Sequence, residues 1–433
     1  MGDFLQGWDV NPDGTTTSLD LSNTHNIRLP ADTGAPQMST NISIGVNLPA
    51  DKDPVKPNLP AKDPWTGKDW DPKQTAPQYG VLRKANGTIA LTQKDADFKQ
   101  YYTDFDPKNA STYTASTSQT IHDSLGRAHT LTYYMLKMGP EGDKSNNSVW
   151  TVIPFVDGKP VDIAAQGTGN DKQYPTMISV PTSSKSTVAG SNYFGFKCTF
   201  SPNGEMINTV PGKLELCNPA KNANADEKNP NSLRHTLFGN PNAQQGGGHN
   251  TGPLTNTAPD QTFKKDGMAG GDGTLHTALG QGIEPSQQLN IQFAASQYGS
   301  SNFSVSQAPT NDGYATGILI GMSVDENGII QCEYSNGQVK NIAKVAMADF
   351  ANTQGLIKIG YTQWKQSNSS GEAIAKEANS GSCGSIKGSN LELSNVDLTN
   401  ELVELITAQR NYQANAQSLQ TQNTVMDSIL NIR

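Results

Sequence analysis

A heptad stripe near the C-terminal end constrains this chain more than any other feature of its sequence. The stripe follows a 4-3-4-3 spacing, and most of its positions are apolar or aromatic. Its positions are Leu398, Leu402, Leu405, Gln409, Tyr412, Ala416, Leu419, Asn423, Met426 and Leu430. Proline and glycine are absent from Val396 to Arg433, and Asp397 is a predicted N-cap. The spacing therefore predicts one coiled-coil-type helix, on the order of 50 Å long.

A helix with one narrow apolar seam is marginally stable alone in water, so this helix has to pack against a partner. The rest of the sequence is rich in turns and strand-like patterns and offers no second long helix. We expect the partner to be another copy, another protein or a segment outside this chain. The alternative is that the helix folds back onto the β domains. The polar seam residues Gln409 and Asn423 would fix the register of a pairing between helices.

Alternation of apolar and polar residues predicts that the remainder of the chain is mainly β. Clear examples are Ile42 to Leu48, His129–Lys137, Trp150–Val156, Gly317–Val324 and Ile329–Tyr334. Turn signals separate these strands, at Asp123 to Gly126, Asp157-Gly158, Asp325 to Gly328 and Asn336-Gly337. The Asn-Gly pair predicts a two-residue hairpin turn in which both residues take positive φ. Short strands joined by such turns indicate antiparallel sheets.

Composition and charge exclude several classes of protein. The net charge is −8 and the sequence has no run rich in lysine and arginine, so the footprint of a nucleic-acid-binding protein is missing. No stretch of 18 apolar residues is present, so no membrane insertion is expected. The first residues lack the basic and apolar regions of a cleavable secretory signal.

The sequence offers no catalytic constellation. The histidines are scattered, and neither a zinc motif nor a nucleophile elbow occurs. Asp325 to Gly328 superficially resembles a calcium loop, but the glutamate required at position 12 is missing, so a hairpin turn is the better interpretation. Cys198 and Cys217 flank a turn region and either pair or remain free. We predict no catalytic residues, no metal ligands and no cofactor, and therefore no enzyme.

The stretch from Leu391 to Gln417 closely resembles the C-terminal signature of the flagellar rod and hook protein family. The residues that carry the signature are Asn395, Val396, Asp397, Leu398, Gln409, Arg410, Tyr412 and Asn415. Four upstream segments resemble the same family, namely Leu5 to Trp8, Asp123 to Thr132, Asp312 to Gly317 and Ala348 to Leu356. The resemblance is good over residues 1–48, 118–157 and 287–433, and poor over 49–117 and 158–286.

The resemblance implies an architecture of several β-rich domains and one long C-terminal helix. An inner β domain would be split between residues 1–36 and 306–393. Outer, barrel-like β domains would occupy 37–305, with a loop-rich insertion around 185–275. Residues 394–433 would form the helix of an inner tube domain.

The resemblance also implies a structural subunit of the bacterial flagellar hook, which polymerises into a flexible tubular joint that transmits motor torque. Its partners would be identical subunits, rod and hook-filament junction proteins, the hook cap and the type III export apparatus. Export would leave it extracellular without a cleaved signal. Members of the family begin with an N-terminal helix that this sequence lacks, so we expect a truncated product that assembles poorly. The alternatives are a distal rod or junction protein, a secreted β-rich adhesin, or an extracellular hydrolase.

Overall fold

The computed structural model describes residues 4–29, 34–63, 69, 80–84, 90, 96–139, 146–167, 172–216, 275–280, 283, 287–299, 302–360, 363–391 and 393–432. The chain forms two compact units. Unit 1 consists of Met1–Leu29, Gly321–Cys332 and Val339–Arg433. Unit 2 consists of Pro30–Ile320 and Glu333–Gln338. The described residues are mainly in strands and end in one long helix, which confirms the predicted fold class.

The described strands and helices are numbered here in chain order. The strands are β1 (Gln6–Asp9), β2 (His25–Asn26), β3 (Asn41–Asn47), β4 (Val81–Arg83), β5 (Phe98–Tyr102), β6 (Ala115–His122), β7 (Ala128–Met138), β8 (Ser148–Val156), β9 (Lys159–Pro160), β10 (Thr176–Ser179), β11 (Asn192–Phe200), β12 (Met206–Val210), β13 (Leu214–Glu215), β14 (Asn290–Ser296), β15 (Ser304–Asn311), β16 (Leu319–Val324), β17 (Ile329–Tyr334), β18 (Val339–Val345), β19 (Met347–Asp349), β20 (Ile357–Gly360), β21 (Gln363–Lys365) and β22 (Ile374–Lys376). The α-helices are α1 (Leu275–Leu279) and α2 (Leu398–Leu430).

Unit 1 contains most of a five-stranded sheet with the strand order β16-β17-β18-β1-β2. In this sheet β1 runs antiparallel to β18, with Gly7 opposite Val345. Trp8 of β1 is buried, and its indole N–H donates to the carbonyl of Asp20 at 2.9 Å. Two separate pairs, β19 with β22 and β20 with β21, complete the described strands of this unit. Unit 1 is therefore assembled from chain segments that lie far apart in the sequence.

The hairpin turn at Asn336-Gly337 has a different geometry from the predicted two-residue turn. Only Gly337 takes a positive φ, of 77°. Its N–H donates to the carbonyl of Tyr334, and the Tyr334 N–H donates to the carbonyl of Gln338, both at 2.9 Å. This is a three-residue loop closed by a bulge glycine. Asn336 keeps an ordinary φ, and its side chain instead donates to the carbonyl of Ala315 at 2.7 Å.

Turns that end in glycine recur at other hairpins. The Asp325 to Gly328 segment has the same pair of backbone hydrogen bonds and joins β16 to β17, so the hairpin interpretation is confirmed. At Asp157-Gly158 both residues take positive φ, of 49° and 75°, and connect β8 to β9. The turn positions were therefore predictable, whereas the turn type was predictable only in part.

Unit 2 is built on a nine-stranded and a four-stranded sheet. The main path of the larger sheet is β4-β5-β10-β11-β8-β7-β6, with β12 added to β11 and β9 added to β8. The smaller sheet has the order β13-β14-β3-β15. Among the described strands, β4 and β6 are the two end strands of the larger path, and they are not paired with each other. The barrel-like outer domain suggested by the resemblance is therefore an open sheet rather than a closed barrel.

The core of unit 2 is formed by side chains from both sheets. The predicted alternation in β3 is confirmed, because Ile42, Ile44, Val46 and Leu48 are all almost completely buried. Their neighbours in one cluster include Trp150 of β8 and other large side chains of the nine-stranded sheet. Burial of each such side chain contributes about 1.5–3 kcal/mol, so this layer supplies much of the stability of the unit.

Strand β11 is central to the larger sheet and was not among the predicted strands. All but two of its residues, Lys197 and Thr199, are fully buried. From Phe194 to Phe200 the apolar residues nevertheless alternate with glycine or polar residues, so the sequence does carry a period-two signal for this strand. Strand β11 lies in the insertion predicted around 185–275, and the part of that insertion at 217–274 lies outside the described residues. Cys217 is among these, while Cys198 is a buried free thiol.

Candidate functional site: the exposed C-terminal helix

Helix α2 begins where the sequence predicts. Asp397 is the N-cap, and its carboxylate accepts hydrogen bonds from the backbone N–H of Thr399 at 2.9 Å and of Asn400 at 3.4 Å. The cap satisfies two of the donors that the first turn of a helix leaves free. The helix then continues for 33 residues, to Leu430. Its length is about 50 Å at 1.5 Å per residue.

The seam positions of α2 are exposed to solvent. None of the described residues of the helix is buried, and within the seam only Ala416 is partly covered. The exposed fraction is 74% for Leu398 and 73% for Leu430, which lie at the two ends. The large apolar seam residues, all more than half exposed, are Leu398, Leu402, Leu405, Tyr412, Leu419, Met426 and Leu430. The alternative in which the helix packs onto the β domains is therefore not what the structure shows.

Four further large apolar residues of α2 are exposed and were not included in the predicted seam. They are Val403, Ile406, Val425 and Ile429. On a straight helix, Val403 and Val425 lie more than about 120° away from Leu398. A strict heptad stripe also drifts about 20° per heptad around a straight α-helix. The seam therefore winds slowly around the helix. The additional apolar side chains do not follow the heptad spacing, so a search for that spacing does not find them.

The middle of α2 is polar but carries little charge. Gln409 and Asn423 lie in the seam here, and Arg410 is exposed beside them. Threonine and serine hydroxyls along the helix donate to the carbonyl four residues earlier, for example Thr407 to Val403 at 2.8 Å. These hydroxyls are satisfied within the helix and need no partner. The arrangement can bind another apolar helix, and its amides can select a register.

The residues of the family signature lie at the start and in the first half of α2. Asn395 and Val396 precede the cap, and Tyr412 and Asn415 are exposed on the helix. The structure brings the signature together on one element without placing it against any other described element. Its role in assembly stays a prediction.

The buried polar group that most resembles a catalytic arrangement is His129 on β7. Its Nδ1 lies 2.6 Å from Oδ2 of Asp157, and its Nε2 lies 3.2 Å from Oδ2 of Asp123. Burial acts to raise the pKa of Asp123, but hydrogen bonds from Arg127, His129 and a backbone N–H outweigh it, so the pKa is lowered. For Asp157, hydrogen bonds from His129 and a backbone N–H likewise outweigh burial and lower its pKa. Both carboxylates are therefore held ionised, as hydrogen-bond acceptors that fix two turns.

Within the described ranges, histidine, cysteine, aspartate and glutamate side chains nowhere gather into a group of three that could hold a metal ion. Among the helices that the structure describes, none is long and apolar enough to cross a membrane.

The family model of the flagellar basal body protein FlaE D2 domain matches residues 90–314, more than half of the chain. The chain belongs to this family. A second family model, of the C-terminal region of the flagellar basal body rod proteins FlgE, FlgF and FlgG, matches residues 387–432 and so contains the whole of α2.

Individual relatives of this FlaE D2 family member carry the name flagellar hook protein FlgE. The protein of Escherichia coli K12 is 35% identical over 159 residues, which are 37% of this chain and 39% of that protein. The protein of Treponema pallidum is 41% identical over 132 residues, which are 30% of this chain and 28% of that protein. The matches thus span well under half of the length of these relatives.

Among solved structures, the crystal structure of the Helicobacter pylori flagellar hook protein FlgE2 is similar over 90% of this chain and 87% of that chain. The sequence identity is 15% and the TM-score is 0.41, which is too low to equate the two folds.

Proposed function

We propose that this chain is a structural subunit of the bacterial flagellar hook that polymerises through its C-terminal helix. The observation that carries the proposal is the exposed apolar seam of α2, in a chain that belongs to a flagellar family. The monomer exposes seven large apolar seam residues to water. Covering them with a second helix lowers the free energy, because apolar surface is removed from water. Coiled-coil pairing with helices of other subunits is the arrangement that the spacing fits.

The proposed architecture follows the domain division predicted from the sequence. An inner β domain at 1–36 and 306–393 and outer β domains at 37–305 would surround a tube lined by the helices of residues 394–433. Unit 1 is built from separate segments near the two ends of the chain, which supports such a division. Rod and junction proteins, the hook cap and the type III export apparatus are the proposed partners, and the proposed location is the flagellum outside the cell. Polar outer surfaces would let neighbouring subunits slide as the hook bends while it turns.

The seam can be tested by a matched pair of double variants. Leu405→Gln with Leu419→Gln alters the seam, whereas Val403→Gln with Val425→Gln changes equally exposed residues on the other side of the helix. Each seam leucine is already about half covered by its own helix, so covering the rest is worth about 1 kcal/mol. Losing both raises the critical concentration for polymerisation about 30-fold. Gln is a good helix former, so α2 itself should persist in both variants.

The readout is hook formation. Expressed with an N-terminal helical segment of a hook protein joined to it, in a motile bacterium whose hook gene is deleted, the protein is expected to form curved tubes visible by electron microscopy. The seam variant should form few or none, and the control variant should form them at nearly the normal number. Straight rods would assign the protein to the rod class instead. Equal assembly by the two variants would exclude the seam as the polymer contact.

A further inference from the structure

Two chain segments lead into and out of the main body of unit 2, and they run antiparallel to each other. The incoming segment is 34–41 and the outgoing segment is 311–317. The Gly34 N–H donates to the carbonyl of Gly317 at 2.7 Å, and the Tyr314 N–H donates to the carbonyl of Gln37 at 2.9 Å. The pair continues into the ladder between β3 and β15. A force applied to the ends of the chain reaches the body of unit 2 through these two segments.

An antiparallel pair that is pulled apart at one end opens one hydrogen-bonded pair at a time. Each such bond is individually weak, so the pair alone would unzip under a small load. The next strand inward behaves differently. Strand β3 is parallel to β14 over seven residue pairs, from Asn41 opposite Asn290 to Asn47 opposite Ser296. If the edge strand β15 peels away, the two pulls act on the start of β3 and on the end of β14, which are opposite ends of this parallel ladder. Its bonds are then loaded in shear and have to break together.

A cluster of side-chain hydrogen bonds lies at the point where the unzipping pair meets the sheets. The carboxylate of Asp312 accepts from the N–H of Thr40 at 2.8 Å, from the Thr40 hydroxyl at 2.5 Å and from the N–H of Asn41 at 3.0 Å. Burial opposes ionisation of Asp312, but these hydrogen bonds outweigh it and lower its pKa. A charged acceptor with several donors forms the strong class of hydrogen bond. Asp312 thus ties the outgoing segment to the incoming one.

The same cluster also ties both segments to the end of β6. Ser39 is completely buried, and its hydroxyl donates to Oδ1 of Asn311 and accepts from the N–H of His122, both at 2.7 Å. The side-chain amide of Asn311 donates to the carbonyl of Thr120 at 2.9 Å. A side chain on Gly313 would place its Cβ 2.4 Å from the Ser39 hydroxyl, so this close approach requires glycine. Both segments are therefore fastened to the larger sheet.

We propose that the cluster of Ser39, Thr40, Asn311 and Asp312 is a mechanical clamp, which stops the unzipping of the incoming and outgoing segments. The clamp passes the load to β6 of the larger sheet and to the parallel β3–β14 ladder. Unit 2 then resists force as a whole and does not lose its strands one by one. The clamp is a property of unit 2 alone, and its use in a torque-bearing subunit rests on the proposed function.

Asp106 provides a matched control for Asp312 within the same unit. Its carboxylate accepts from the N–H of Thr187 at 2.8 Å, from the Thr187 hydroxyl at 2.8 Å and from the N–H of Lys108 at 2.9 Å. Its pKa is also lowered, by hydrogen bonds that outweigh burial. None of these hydrogen bonds involves the incoming or the outgoing segment. Asp312→Asn and Asp106→Asn should therefore lower the stability of unit 2 towards denaturant by similar factors.

The test is single-molecule stretching of the full chain through tags at its two ends. Unit 2 is recognised by the release of about 1,000 Å of chain, the extended length of residues 30–320. At a fixed force, Asp312→Asn is expected to unfold unit 2 about tenfold faster than the unchanged protein, because its bonds break in the rate-limiting step. Asp106→Asn should stay within about threefold of the unchanged protein.

Equal effects of the two variants on the rate under force, or no effect of Asp312→Asn, would overturn the proposal. Should Asp312→Asn fail to fold, Asn311→Ala, which removes the link to Thr120, serves in its place with the same expected acceleration. Single molecules are stretched, so the outcome is independent of whether the chain polymerises.

Discussion

Replacing Asp63 tests the energetics of the most deeply buried ion pair among the described residues of unit 2. The side chains of Asp63 and Arg83 are 1% and 0% exposed, and Nη2 of Arg83 donates to Oδ1 of Asp63 at 2.7 Å. The guanidinium also donates to Oε1 of Gln100 through Nε, and to the Tyr102 hydroxyl at 3.2 Å through Nη2. Asp63 lies in a proline-rich stretch of the sequence, so the pair links this stretch to strand β4.

The expected magnitude follows from the burial. Asp63→Asn removes one counter-charge from the buried guanidinium of Arg83, and breaking a buried pair in this way costs about 3–5 kcal/mol of the free energy of unfolding. Arg83→Met removes the guanidinium that donates to the buried carboxylate of Asp63 and costs a similar amount. The double variant removes both charges, and a paired replacement of this kind is often close to neutral. The double variant should therefore lose at least about 2 kcal/mol less than the sum of the two single losses.

The assay is denaturant unfolding of the four proteins of this cycle, followed by circular dichroism and tryptophan fluorescence. The m-value should be unchanged if unit 2 still unfolds as one cooperative body. A loss below about 1 kcal/mol for Asp63→Asn, or strict additivity of the two single changes, would refute the view that the pair is desolvated and coupled.

Three other predictions concern unit 2 and the turns. The pKa values of Asp106 and Asp312 are lowered below the ordinary value near 3.9. Their contribution to stability is therefore present above pH about 4 and is lost as the pH falls through the lowered values. Urea unfolding at pH 2 to 5 should show this loss of stability, and Asp312→Asn should make the loss smaller. Gly337→Ala should lower the free energy of unfolding by about 1 kcal/mol, because φ is 77° but no atom lies close to the added Cβ. Gly126→Ala should lower it more, because the added Cβ would lie 2.6 Å from Pro36. Thermal unfolding of the two variants compares these losses. Phe196→Ala should cost about 3–5 kcal/mol in denaturant unfolding, because this side chain is fully buried in the core.

The elements that sequence predicts well are those with local, periodic signals. Helix α2 is marked by its heptad spacing and by Asp397, so both its existence and its start were predictable. Strand β3 alternates cleanly because one face is buried. Strand β11 carries a similar local signal, because apolar residues alternate from Phe194 to Phe200, but its place between β8 and β10 is determined by the folded sheet and not by local spacing.

The residues of the candidate site could be predicted from the sequence, but the partner that binds them could not. The spacing from Leu398 to Leu430 identifies which side chains can form a seam, and the structure leaves them exposed. The identity of the partner is determined by a second surface that these positions do not encode. The clamp around Asp312 was not predictable either, because its residues come from two distant parts of the chain, bind a third part in β6 and meet only in the folded unit.

The pairing of the incoming and outgoing segments also has a consequence for the order of folding. Gly7 of β1 and Val345 of β18 pair across more than 300 intervening residues, so closing that loop in an unfolded chain is entropically costly. Once Gly34 is bridged to Gly317, the loop that remains is only about one sixth as long. The loop-closure term then falls by about 1.5 kcal/mol. Unit 2 should therefore fold first, and its folding supplies the short connection on which the central pairing of unit 1 depends.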